Sequence, residues 1–359
     1  MGKRVRVGIV GRTLLLGGAE MWMSQLVEFC DPAAIQWVFV SAFHPDQASD
    51  VMVEAIGSRC PIIPLDRVSQ ACEACDVVIV WGNTVDEVIL PRPRSFKVVL
   101  ASLGMCDFTR RVMQSAGDAD AVVALSQVSL DVVPSDQRYK AVVIPPAVDP
   151  RRIVPERSIA EVRESWNLTD GQKALVYIGR VAPEKNPLAV ARTVAGLHRM
   201  GFTQWRGIIV GPETPPKYAQ AIPFIDDAPC LSEEIAPGLV RFMGPSGDIG
   251  GVCGAADHMI LPSFIEGASL SLLEMWAAGK PVLATPVGMV AHEHPDLVRQ
   301  IPVRAMGREM ARALVADLED PQGTRDRVER ARKTATEQYS VEKLGQRWTK
   351  YLQKLASPP

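Results

Sequence analysis

The chain is 359 residues long, 47% hydrophobic, 22% charged and 6% aromatic. That length accommodates two domains, and the composition excludes a largely disordered, collagen-like or disulfide-framed protein. With 39 basic against 41 acidic side chains, the formal charge of −2 leaves no global basic field for nucleic acid.

The charge is uneven along the chain. Residues 1–150 hold 13 basic and 17 acidic groups, a net −4, and the remainder is net +2. Either the second half hosts an anionic ligand, or so small a difference is random surface composition. No uninterrupted apolar run reaches the roughly 18 residues of a bilayer span. Lys3, Arg4 and Arg6 lead straight into a short Val/Ile run without the apolar core of a signal peptide. Seven scattered cysteines, an odd number, suit a reducing cytoplasm. Cys72 and Cys75 form one CxxC without a second ligand pair at zinc spacing, so they read as packing thiols.

Short, β-branched, apolar runs mark the strands of the first half: Val5–Val10, Trp37–Ala42, Ile62–Leu65, Val77–Trp81, Val98–Ser102, Ala121–Leu125 and Ala141–Ile144. Apolar throughout rather than alternating, they are expected to be parallel strands buried on both faces. Helical stretches such as Ala19–Cys30 and Phe108–Ala116 lie between them, giving the βα rhythm of a doubly wound sheet. The run Pro145-Pro146-Ala147-Val148-Asp149-Pro150 then reads as a linker, since its prolines remove donors and favour extended backbone. A second βα series follows, with strands at Ala174–Ile178, Gly207–Val210, Val240–Met243, His258–Leu261 and Pro281–Ala284. Its helices are expected at Pro187–Met200, Leu270–Ala278, Met306–Asp320 and Gln322–Gln338. A last helix, Val341–Leu355, aligns Leu344, Trp348, Leu352 and Leu355 on one side. Two such sheets offer two rows of strand C-termini, where ligands of open α/β sheets bind, and the cleft between domains is the default site.

Two segments carry candidate chemistry. In Ile178-Gly179-Arg180-Val181-Ala182-Pro183-Glu184-Lys185-Asn186-Pro187, a strand end is followed by two cations five residues apart. Pro187 is expected to open the next helix with Asn186 as its cap. A guanidinium fork and an ammonium converging there would suit a diphosphate; a solvated basic loop is the plainer reading. In the second segment, residues 261–274, a strand ends, a small-residue loop passes Glu266, and a helix begins near Ser269. Amides of Gly267, Ala268 and Ser269 at that helix start make an anion-binding geometry. Glu274 lies within the helix in apolar surroundings, so it needs partners, and sugar hydroxyls are suitable ones. The plainer reading is a capping loop followed by an exposed helical Glu.

Together, cations and helix amides for phosphates and two carboxylates for hydroxyls describe a nucleotide-sugar site. On these residues the chain resembles the retaining family-4 glycosyltransferases of GT-B fold. The matching pieces are Gly-Arg…Glu-Lys-Asn, Pro-Ser…Glu-x7-Glu and Ala-Ala-Gly-Lys-Pro-Val, supported by Gly17-Gly18-Ala19-Glu20, Val240-Arg241-Phe242-Met243-Gly244, Ala255-Ala256-Asp257 and Thr285-Pro286-Val287-Gly288. The resemblance implies two Rossmann-like domains facing a central cleft. Residues 1–150, on the acceptor side, would be joined by a returning helix at about 341–355, and residues 151–340 would bind the donor.

It further implies a hexosyltransferase-type enzyme that uses a nucleoside-diphosphate sugar, most commonly of uridine, without a metal cofactor. Arg180 and Lys185 would hold and neutralise the diphosphate, and Glu266 would contact the transferred sugar. The amides of Gly267, Ala268 and Ser269 would meet sugar or phosphate, Glu274 the ribose diol, and Arg241, Phe242 and Met243 the base. Gly17 and Gly18 would let their loop approach the phosphates closely. Glu20, Leu103 and Asn83 would lie on the acceptor side.

Leu103 stands where many family members carry a His, Pro146-Ala147 replaces the usual Asn-Gly, and Met289 replaces a glycine. His44 after the second strand is one candidate substitute for the missing His. His292 and His294 read as a solvated HxH without a third ligand nearby. The alternatives are a catalytically inactive nucleotide-sugar-binding protein, motivated by Leu103, and a GT-B nucleotide-sugar epimerase. A nicotinamide-dependent oxidoreductase fits worse, because Gly8 and Gly11 do not make GxGxxG and no acid ends the second strand. The acidic first half favours a small-molecule or glycan acceptor over a membrane-bound one, so membrane association is not favoured, nucleic acid is not expected, and the location is expected to be cytoplasmic.

Overall fold

The computed structural model describes residues 3–15, 17–44, 46–82, 85, 93–212, 238–305 and 307–357. The chain divides into two compact units, Met1–Ala147 with Tyr339–Pro359, and Val148–Gln338. No helix among the described residues is long and apolar enough to cross a membrane.

In the first unit, β1 (Val5–Gly11), β2 (Ile35–Ala42), β3 (Val77–Val80), β4 (Lys97–Ser102), β5 (Ala121–Ala124) and β6 (Ala141–Val143) form a parallel sheet in the order β2-β1-β3-β4-β5-β6. Every residue of β3 and β5 is buried, as apolar runs covered on both faces require. Between strands run α1 (Gly18–Phe29), α2 (Asp50–Gly57), α3 (Val68–Cys72) and α4 (Asp107–Met113). The segment expected as one helix to Ala116 tightens into a 3₁₀ turn over Gln114–Asp118. Cys72 and Cys75 lie in the core beneath the sheet, and burial pushes both thiols up to about 12.

The expected strand Ile62–Leu65 does not form. The Val40 N–H donates to Pro61 O and the Ile63 N–H to Val40 O, closing a single parallel bridge between Val40 and Ile62. Pro61 and Pro64 have no N–H with which to extend it, and Leu65–Arg67 winds into a 3₁₀ turn.

The second unit repeats the plan with β7 (Lys173–Ile178), β8 (Trp205–Val210), β9 (Val240–Phe242), β10 (His258–Leu261), β11 (Val282–Ala284) and β12 (Arg299–Gln300), all parallel, in the order β12-β11-β10-β7-β8-β9. Its helices are α5 (Ile159–Ser165), α6 (Leu188–Arg199), α7 (Ile249–Ala255), α8 (Leu270–Ala277), α9 (Met289–His292), α10 (Gly307–Glu319) and α11 (Pro321–Gln338). Met306, the expected start of α10, lies outside the described residues. Strand order reverses between β7 and β10, whose C-terminal loops therefore diverge to opposite faces and leave a crevice. On α10, the fully buried Asp317 carboxylate accepts from Arg299 Nε at 2.7 Å and from Arg327, with His258 Nε2 at 3.4 Å.

The last helix, α12 (Val341–Ala356), belongs to the first unit and packs on α1. Leu344, Trp348 and Leu352 are buried, each contributing about 1.5–3 kcal/mol of apolar burial. Trp348 meets Trp22 edge to face at 5.6 Å between centroids. Gly345 lets the backbones touch, since a Cβ there would sit 1.9 Å from Phe29 O.

Candidate functional site

The site in the second unit is built on the loops after β7 and β10, which flank the point where strand order reverses. Tyr177, near the end of β7, is buried, and its hydroxyl donates to Arg180 O at 2.7 Å. Gly179 makes room for that bond, because a Cβ there would fall 2.7 Å from the Tyr177 hydroxyl. Burial pushes the Tyr177 phenol well above its ordinary range, and the nearby charges of Glu266, Arg180 and Glu184 all act on it. These residues therefore share one electrostatic neighbourhood.

The two loops are tied directly. The Phe264 N–H donates to Glu184 O at 2.8 Å, and Asn186 Nδ2 donates to Pro262 O at 3.2 Å. Asn186 is not the helix cap expected from sequence. It adopts left-handed backbone at φ 50°, is buried, and spends its side chain on the β10 loop, while Pro187 takes the position before α6. The tertiary bond overrides the local capping preference.

Lys185 Nζ lies 2.7 Å from Glu266 Oε2, and the Ser263 hydroxyl donates to Glu266 Oε1 at 2.8 Å. Ser263 O in turn accepts from the Thr285 hydroxyl at 2.6 Å. Arg180 is half exposed and pairs with Glu184 at 3.1 Å rather than with the carboxylate Lys185 uses. The structure thus brings Lys185 and Glu266 together and turns the Arg180 guanidinium to its own loop's acid.

Beyond Glu266, the Gly267 carbonyl accepts from the Met289 N–H at 3.0 Å. Gly288 has φ +58°, and a Cβ on it would sit 2.6 Å from Gly267 O and 2.9 Å from Glu266 O. Only glycine fits there, so Thr285-Pro286-Val287-Gly288 acts as a template for the Glu266 loop. Ser269 caps α8 by accepting from the Leu272 N–H, placing Gly267, Ala268 and Ser269 at the positive end of that helix. Glu274, a turn inside α8, is buried, and Arg152 Nε donates to its Oε1 at 2.7 Å. Burial raises the Glu274 carboxyl above its usual range, with Arg152 opposing the shift.

Arg241 and Phe242 end β9, two strands from β7, and Met243 follows directly. Phe242 and Met243 are exposed, and Gly244 O accepts from the Gly211 N–H at 2.8 Å. A Cβ on Gly211 would reach 1.9 Å from Gly179 O, which links the β9 end through Gly211 to the Arg180 loop.

In the first unit, Gly17 precedes α1 in extended conformation, and a Cβ on it would meet Glu20 Oε2 at 2.6 Å, whereas Gly18 faces open space. Glu20 is buried and accepts from the Thr13 hydroxyl, folding back onto the loop after β1. Leu103 is half buried directly after β4, and Asn83 lies outside the described residues. His44 is exposed, and its N–H donates to Arg12 O at 3.0 Å. The expectation of a solvated HxH is half corrected: His292 is exposed, but His294 packs edge-on against Trp276 at 5.6 Å.

Sequence reasoning missed Arg152, Tyr177, Glu184 and the template role of Gly288. The one aromatic in the otherwise aliphatic run of β7 was a usable signal for Tyr177; the 122 positions separating Arg152 from Glu274 offered none.

Residues 172–320, from the start of β7 through α10 and therefore including both loops, match the family glycosyl transferases group 1. A D-inositol 3-phosphate glycosyltransferase from Actinosynnema mirum is 31% identical over 182 residues, 49% of this chain and 43% of the relative. The putative teichuronic acid biosynthesis glycosyltransferase TuaC of Bacillus subtilis is 25% identical over 50% of this chain and 43% of its own length. The chain thus spans less than half the length of these curated relatives.

Among solved structures, Anabaena Alr3699/HepE in complex with UDP-glucose aligns over 98% of this chain and 100% of its own, with a TM-score of 0.78 at 18% identity. Sucrose-phosphate synthase from Thermosynechococcus elongatus aligns over 98% and 99%, with a TM-score of 0.72 at 18% identity. At such identities the likeness is one of fold. The motif order, the two parallel sheets and the matched segment agree: residues 172–320 match the glycosyl transferases group 1 family, and the chain has the two-sheet fold of these solved structures.

Proposed function

We propose that this protein is a retaining glycosyltransferase that moves a sugar from a nucleoside-diphosphate sugar, a uridine one being favoured, to an acceptor hydroxyl without a metal ion. The observation that carries the reading is the pairing of Lys185 with Glu266 across the two loops at the strand-order reversal, beside the capped start of α8. A cation, helix-end amides and carboxylates are concentrated where α/β sheets take phosphates. The relatives named as glycosyltransferases, and the fold shared with a protein complexed to UDP-glucose, support the same reading.

In this mechanism the donor diphosphate replaces the carboxylates of Glu266 and Glu184 as the partner of Lys185 and Arg180. Glu266 then accepts from hydroxyls of the sugar, and Glu274 from the ribose. The bond between the anomeric carbon and the diphosphate oxygen breaks while the acceptor oxygen attacks from the same face. The departing diphosphate oxygen takes the acceptor's proton, so the products are the glycoside and the protonated nucleoside diphosphate. Negative charge grows on the diphosphate in the transition state, and preplaced cations and amides lower that barrier.

Arg180→Ala and Lys185→Ala should each lower turnover by about 10²–10³, the usual cost of one such donor. Full turnover in both variants refutes the assignment. Leu103 in place of the family's usual His favours the second reading, a protein that binds the donor without transferring it. Donor hydrolysis or transfer to any acceptor by the wild type excludes that alternative, and product analysis without acceptor separates an epimerase.

A further inference from the structure

Arg152 lies in the short 3₁₀ turn Pro150–Ile153 that follows the proline-rich linker, remote in sequence from both loops of the site. Its neighbour Arg151 is committed locally, with Nε at 3.0 Å from each oxygen of Asp149 and Nη2 at 2.6 Å from one. Arg152 instead reaches α8, where its Nε donates to Glu274 Oε1 at 2.7 Å. Glu274 is 3% exposed, a burial that an ionised carboxylate does not tolerate without a partner. Among the described residues, Arg152 supplies the one hydrogen bond this carboxylate receives, and Oε2 meets no donor. The charge of Asp149 close by works against ionisation, so Arg152 opposes both burial and a like charge.

A carboxylate held at one oxygen by a guanidinium has its rotamer fixed and its second oxygen open to hydroxyl donors. We propose that Arg152 is a positioning residue for nucleotide recognition: by occupying Glu274 Oε1 it aims Oε2 at the adjacent hydroxyls of the donor's ribose. This rests on the reading of Glu274 as the ribose acceptor given above. Arg152 touches no substrate; it sets the preference for a ribose that carries both hydroxyls.

The test compares the tightest binder among UDP, GDP and ADP with its 2′,3′-dideoxy analogue, titrated calorimetrically into wild type, Arg152→Met, Arg152→Lys and Glu274→Gln. A hydroxyl bound to a charged acceptor is worth about tenfold to a hundredfold in affinity, so the wild type should prefer the ribonucleotide by at least about tenfold. Arg152→Met, which keeps the length of the side chain's stem, should reduce that preference to under about threefold while leaving affinity for the dideoxy analogue within about twofold. Arg152→Lys restores a cation and should recover part of the preference. Equal loss of affinity for both nucleotides in Arg152→Met would mean a merely structural role and overturns the inference. So does a full preference in Arg152→Met when Glu274→Gln has lost it, an outcome that leaves the ribose reading intact. If Glu274→Gln also keeps the preference, the ribose reading itself fails, and if the wild type binds none of the three nucleotides, the proposed function fails with it.

Discussion

Replacing Gly288 with Ala should damage the site without touching any charged group in it. The residue has φ +58° and ψ −140°, a region essentially restricted to glycine, and forcing a side chain there costs about 1–3 kcal/mol. The new methyl would also sit 2.6 Å from Gly267 O and 2.9 Å from Glu266 O. Either the backbone of the Glu266 loop moves or overpacking adds a further penalty of about 1–3 kcal/mol. The combined loss is at least about 2 kcal/mol, equivalent to a fall of about 4 °C or more in the melting of a unit this size. Calorimetry should show that fall in the transition that nucleoside diphosphate shifts upward, and donor affinity should drop with it because Glu266 and Gly267 are displaced. Gly247→Ala is the control: no atom lies within 4 Å of a Cβ there, so its effect should stay within about 0.5 kcal/mol. Wild-type melting and affinity in Gly288→Ala would refute the template argument.

Two further perturbations test neighbouring parts of the account. Tyr177→Phe removes the hydroxyl that donates to Arg180 O; it should cost about 0.5–1.5 kcal/mol of stability and lower donor affinity, and unchanged values for both would remove Tyr177 from the site. Asp317 tests the charge cluster behind β10. Burial alone would raise its carboxyl, but the nearby His258, the hydrogen bond from Arg299 and the charge of Arg327 outweigh burial and hold it below the usual range. A carboxylate depressed in the folded state stabilises above the ordinary carboxylate range near pH 4, and that contribution is lost as pH falls through the lowered value. Asp317→Asn should therefore melt lower at neutral pH, by about 3 kcal/mol for arginines left without their anion, and should show a flatter decline between about pH 5 and pH 3. Parallel pH profiles for variant and wild type would contradict this.

Most of the architecture was legible because parallel strands covered on both faces must be apolar throughout, as Val77–Val80 and Ala121–Ala124 are. Errors fell where a non-local contact or a proline decided the outcome. Pro61 and Pro64 reduced an apparent strand at Ile62–Leu65 to one bridge. Asn186 gave up capping for a bond 76 positions away. Helix α7 was hidden by Gly250, Gly251 and Gly254, which argue against a helix locally. Gly250 is needed because a Cβ there would fall 2.4 Å from the Val154 backbone. One miss was avoidable, since Ser158 and Glu161 form a capping box that announces α5. The pairing of Arg152 with Glu274 was not readable from spacing, because it joins a linker turn to a helix far along the chain.

The most direct test is a crystal structure of this protein with a nucleoside diphosphate bound. The account predicts phosphate oxygens within hydrogen-bonding distance of Lys185 Nζ and the Arg180 guanidinium, with both cations released from Glu266 and Glu184. A diphosphate seated elsewhere, with those two ion pairs intact, would contradict it.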